Sequence, residues 1–149
     1  MDIFEEKEEE QKLLLKQYRR QINAARIIML AMMVMGVVAA VISMSVTAKF
    51  GYDNSLRMWL QFGFMGALLS ILGLSYVAPF IPLLLLTLFT LFGVVAYSVS
   101  TITAIIYSNY APGISALLSF LVQIAVSVFM IRGTISAWRY QQLKKLMNK

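Results

Sequence analysis

Residues 58–131 read MWLQFGFMGALLSILGLSYVAPFIPLLLLTLFTLFGVVAYSVSTITAIIYSNYAPGISALLSFLVQIAVSVFMI, without one Asp, Glu, Lys, Arg or His. A water-soluble chain of this size needs charged side chains on the outward faces of its helices and strands, so a soluble core has no use for such a run. A bilayer does: about 20 apolar residues span the hydrocarbon as a helix, and the run holds three such helices and two short turns. A further uncharged block, residues 27–48, supplies one more. The expected fold is an all-α integral membrane protein. It is a four-transmembrane-helix bundle with crossings at about 27–48, 58–76, 80–106 and 114–131.

Composition points the same way. The 149 residues leave room for one compact unit and no separate soluble domain. Hydrophobic residues make up 60% of them, against about 45–50% in ordinary globular domains. The net charge is +6, but the basic residues flank apolar segments, where anionic lipid headgroups explain them more economically than nucleic acid does. Cysteine and histidine are absent. Their absence removes disulfides and thiolate metal sites, and with them the commonest general base and transition-metal ligand. No cofactor, metal ligand set or catalytic residue is expected.

Outward from the apolar blocks lie two charged ends. Residues 1–26 sort by sign, with Asp2, Glu5, Glu6, Glu8, Glu9 and Glu10 before Lys12, Lys16, Arg19, Arg20 and Arg26. That order suits a helix macrodipole. Leu14, Tyr18, Ile22, Ala25 and Met29 recur on one helical face, and Lys12, Lys16, Arg19 and Arg26 on another. Two readings fit: an amphipathic helix lying on the cytoplasmic lipid surface, or a solvated extension of the first crossing. The acidic tip suits a basic partner or simple solubility. Residues 132–149 form a basic, helical C-terminal extension carrying Arg132, Arg139, Lys144, Lys145 and Lys149. Headgroup contact is expected of Lys12, Lys16, Arg19, Arg26, Arg132 and Arg139.

Orientation follows from those charges. The terminal sides carry ten Lys or Arg near the membrane, and the opposite side only Lys49 and Arg57. The positive-inside rule then puts both termini in the cytoplasm, here of a bacterial inner membrane. Val46, Thr47 and Ala48 resemble a signal-peptide cleavage site, but the preceding region is mixed in charge and the apolar core too long. A retained anchor is the expectation.

Small and polar residues inside the crossings supply the remaining candidates. Gly36, Ala40 and Ser43 in the first crossing, and Gly63, Gly66, Ala67, Ser70 and Gly73 in the second, share faces that let a neighbouring helix come close. The two faces could meet each other, or a second copy. Both Pro79 and Pro82 read as the start of the third crossing. Thr87, Thr90, Tyr97 and Thr101 lie on one face of that helix, and Gln123 sits near mid-membrane in the fourth. They suit helix packing through hydrogen bonds, or a polar path with Thr101 and Gln123 as its groups.

Proton-coupled transport usually keeps an acid or histidine within the membrane. Hydrolysis needs a base beside a nucleophile, or metal ligands. The crossings have none of these. The sequence therefore favours a non-enzymatic structural or accessory protein that binds anionic lipid, a second copy or a larger membrane partner. A small channel, facilitator or hole-forming oligomer is the alternative.

Overall fold

A computed structural model describes residues 3–49, 55–108 and 113–147 as four helices: α1 Ile3–Lys49, α2 Ser55–Leu74, α3 Phe80–Ser108 and α4 Ile114–Met147. Phe50, Gly51, Tyr52, Asp53 and Asn54, expected as the polar loop, lie outside the described residues, as do 109–112 of the expected second turn. The side chains of Ser43, Lys49 and Arg57 lie outside them too.

Neighbouring helices run antiparallel. From Arg26 to Gly36 on α1, the contact moves back from Ser75, just past the end of α2, to Met65 within it. From Gln21 to Ala25 on α1, it moves back from Ser136 to Gly133 on α4. Thr87 of α3 faces Thr134 of α4, while Tyr97 further on faces Ala116. Phe64 and Phe89 join α2 to α3 edge-on, their ring centroids 5.9 Å apart. The helices close a ring in which α4 packs most extensively, along both α1 and α3, and α2 is held less closely.

Helix α1 has no break between its charged and apolar parts. No glycine or proline interrupts it before Gly36, and the Asn23 amide oxygen accepts from Arg26 one turn on rather than from the backbone. From Ile3 on, the charged segment is continuous with the apolar segment at 27–48 in a single helix, the arrangement that the second reading of residues 1–26 expects. At about 1.5 Å per residue the 47-residue helix is roughly 70 Å long, more than twice a 30 Å hydrocarbon core. By the same measure α4, with 34 residues, is also longer than one hydrocarbon thickness.

Among the described residues, three helices are long and apolar enough to cross a membrane: Glu9–Ile42 within α1, Phe80–Tyr107 within α3 and Ala116–Met147 within α4. In α2 the described apolar stretch is Trp59–Leu74, within a helix of 20 residues. Outward faces are apolar as well, with Leu88, Phe92, Val95 and Val99 of α3 exposed in sequence. Water would tolerate such a surface poorly; lipid tails would not distinguish it from a core.

The buried residues gather toward one end. Ile22, Ala25, Met29 and Met33 of α1 meet Leu68 and Leu72 of α2, Leu83 and Leu86 of α3, and Val126, Met130 and Ala137 of α4. This is the end that holds the turn at residues 75–79. There the prolines behave as expected: Leu83 N–H bonds to the Pro79 carbonyl at 3.2 Å, and α3 starts at Phe80 with Pro82 in its first turn.

Candidate functional site

Three sets of polar and small residues lie at the packed end of the bundle, and an apolar groove lies at the other.

The tightest approach is between α1 and α4. A methyl group on Gly133 would run into the Cβ of Ala25, with the Gln21 carbonyl 3.7 Å away. One turn on, Ala137 is fully buried, so Gly133 and Ala137 form a small-x-x-x-small pair that brings two backbones together. Beside it, the Ser136 hydroxyl donates to Gln21 Oε1.

A second set ties α3 to α4. Thr87 Oγ1 lies 2.7 Å from the Leu83 carbonyl and 2.7 Å from Thr134 Oγ1. Each hydroxyl has one proton, so when Thr87 bonds back to Leu83, Thr134 must donate to Thr87. Both groups are buried. Elsewhere the hydroxyls turn onto their own helices: Thr90 to Thr87, Ser98 to Val94, Thr103 to Val99 and Ser127 to Gln123. In lipid, where no water competes, this is how Ser and Thr satisfy themselves.

The third set surrounds Arg26. Its Nε donates to Ser75 Oγ at 3.0 Å, Nη2 to the Ser75 carbonyl, and Nη1 to Asn23 Oδ1 at 3.0 Å. The guanidinium also lies 4.2 Å from the Tyr76 ring centroid. Arg26, for which headgroup contact is expected, clamps the C-terminal end of α2 and is only partly exposed. The remaining expected headgroup residues are placed differently. Lys16 and Arg19 are exposed along α1, and Lys12 is exposed one turn earlier. Arg132 and Arg139 line a cleft between α4 and α1.

No family model, curated protein or solved structure matches this chain.

Among the described residues, the two small-residue faces do not meet within the chain. Gly63, Gly66 and Gly73 have open space where a Cβ would stand, and Ala67 and Ser70 are exposed. Gly36 does approach α2, but a Cβ there would meet the Met65 side chain at 2.7 Å, away from that face. Ala40 borders the same small hollow as Gly36 and Met65. The reason is the ring order: α2 turns Leu68 and Leu72 inward to α1 and α3, which leaves its glycines outside.

Thr101 and Gln123 are not brought together. Thr101 borders an apolar groove of about 260 Å³ between α3 and α4 with Tyr97, Ile105, Leu117 and Phe120, and Gln123 is not part of its lining. Gln123 Oε1 is buried, and among the described residues it has no hydrogen-bond partner. Among the described residues, too, no three His, Cys, Asp or Glu side chains gather.

Four residues central to packing escaped the sequence reading: Gly133, Thr134, Ser136 and Ala137. The small-x-x-x-small spacing was there to find. It lay beyond Arg132, where the first charge after the apolar run marked the end of the crossing.

Proposed function

We propose that this chain is a non-enzymatic membrane protein whose four helices all cross the bilayer, with both termini in the cytoplasm of a bacterial inner membrane. It works by holding lipid, a second copy or a larger membrane partner against its outward faces. The observation that carries this reading is the direction of the hydroxyl groups: Thr87, Thr90, Ser98, Thr103 and Ser127 are spent on backbone carbonyls. A path for ions or polar solutes needs such groups free to replace water. The exposed Gly63, Gly66 and Gly73 offer a partner helix a close approach.

The short apolar part of α2 is compatible with a crossing because its helix reaches back to Ser55, giving 20 residues in all, or about 30 Å. Reporter fusions after residue 149 and within the 50–54 loop should therefore report opposite sides. Identical readings would remove α2, or another helix, from the set of crossings.

One observation favours the channel reading: the unpartnered Gln123 Oε1 is an acceptor at membrane depth. Purified protein in liposomes should pass no more ions than empty liposomes, and Gln123→Leu should change nothing but stability. Flux that Gln123→Leu alters without unfolding the bundle would replace the accessory reading by the channel.

A further inference from the structure

From the cleft between the cytoplasmic ends of α1 and α4, we infer a binding site for the headgroup of one anionic phospholipid. This rests on the membrane reading above and adds a defined ligand to it.

The cleft measures about 340 Å³ and is lined by Leu14, Gln17, Tyr18 and Gln21 of α1 and by Arg132, Ile135, Ser136 and Arg139 of α4. That volume is within the usual small-ligand range of about 300–1,000 Å³. Its polar lining is rich in donors and has no carboxylate. Arg132 and Arg139 stand seven residues apart on one face of α4, two turns or about 10.5 Å of rise. Flexible side chains of that length can converge on a ligand between them. Among the described residues, neither guanidinium has a hydrogen-bond or ion-pair partner. Arg26, by contrast, is engaged with Ser75, Asn23 and Tyr76.

The neutral groups are arranged for the same ligand. The Ser136 hydroxyl gives its proton to Gln21 Oε1. That fixes the amide with its acceptor satisfied and leaves the NH2 group as a donor on the cleft. Gln17 adds a second amide one turn away on the same side of α1. Guanidinium forks and amide N–H groups together suit the oxygens of a phosphate diester.

Position selects lipid over soluble phosphate. Arg132 is the first charge after the apolar run 58–131, so the cleft opens where the hydrocarbon ends. Leu14 and Ile135 give it an apolar floor beside the donors. A phospholipid satisfies both, with its phosphate at headgroup depth and its chains along the exposed apolar surface. Basic clefts between helices on the cytoplasmic side are suited to such headgroups.

The test uses the full chain in mild detergent, titrated with phosphatidylglycerol or phosphatidylcholine while bound lipids are counted by native mass spectrometry. One phosphatidylglycerol should bind saturably and at least about tenfold more tightly than phosphatidylcholine. The double variant R132Q/R139Q should lose that preference, while K144Q/K145Q, with the same charge removed outside the cleft, keeps it. Equal loss in both variants would overturn the site in favour of diffuse attraction, as would equal binding of the two lipids. Competition by millimolar glycerol 3-phosphate would also overturn it, by making the ligand a soluble phosphate. A carbonate wash of native membranes separates this from the broader reading. Protein retained in the pellet but without lipid preference refutes the cleft alone, and protein released to the supernatant refutes the membrane reading with it.

Discussion

Gly133→Leu is expected to lower the melting temperature of the purified bundle well below that of Gly66→Leu. At Gly133 even the first carbon of a side chain collides with Ala25 Cβ, which belongs to a facing helix and has no rotamer by which to move aside. The two backbones must separate, and that loosens the rest of the α1–α4 seam: Ile22, Met29, Met130 and Ala137. Overpacking of this kind costs about 1–3 kcal/mol, and a site bounded by backbone belongs at the upper end or above it. At Gly66 no atom lies within 4 Å of a new Cβ, so a single chain should tolerate leucine at less than about 1 kcal/mol. Melting in mild detergent, followed by intrinsic fluorescence, compares the two. Equal losses would mean that the α2 face is occupied in the purified particle, by a second copy or a bound partner. Equal tolerance would mean that α1 and α4 do not touch at Gly133.

The number of helices was legible because it depends on the length of uncharged chain, which a bilayer sets physically. Expected crossings at 80–106 and 58–76 compare with helices Phe80–Ser108 and Ser55–Leu74. Proline chemistry located the start of α3, and the α1 face running through Ile22, Ala25 and Met29 is the buried one. The far ends were not legible from the same criterion. A charge ends a hydrocarbon span but not a helix, so α4 runs on to Met147 and carries its closest contact past Arg132. Nor does a small-residue face name its neighbour. Gly63, Gly66 and Gly73 have the same spacing whether they meet α1, another copy or lipid, and only the order of helices around the ring places them outside. Side-chain partners were least legible of all. Whether an arginine faces headgroups or a neighbouring helix end depends on which turn lies beside it, and that is set by the α1–α2 register.

Arg26 is where that register has its largest consequence after Gly133. Helix α2 ends at Leu74, and the carbonyls of Ile71, Leu72, Gly73 and Leu74 accept from the N–H groups of the turn that follows, Ser75 to Ala78. Ser75 is fully buried there, so its carbonyl must find a donor within the protein. Its hydroxyl proton is already spent on the Leu72 carbonyl at 2.6 Å, which leaves the oxygen free to accept from Arg26 Nε at 3.0 Å. The second arm of the fork satisfies the Ser75 carbonyl, and the flat face rests on Tyr76 at 4.2 Å. Removing the guanidinium leaves a buried carbonyl unpaired, at about 1–3 kcal/mol, and forfeits a cation–π contact of about 0.5–2 kcal/mol. Arg26→Met is therefore expected to destabilise the bundle by about 2–4 kcal/mol. Arg26→Lys should recover only part of this, because an ammonium keeps the charge but cannot reach both Ser75 oxygens as a planar fork does. Phosphatidylglycerol binding should survive both changes in whatever fraction stays folded. A variant that melts like the parent but binds less lipid would return Arg26 to the headgroups and leave the end of α2 to be closed by some other donor.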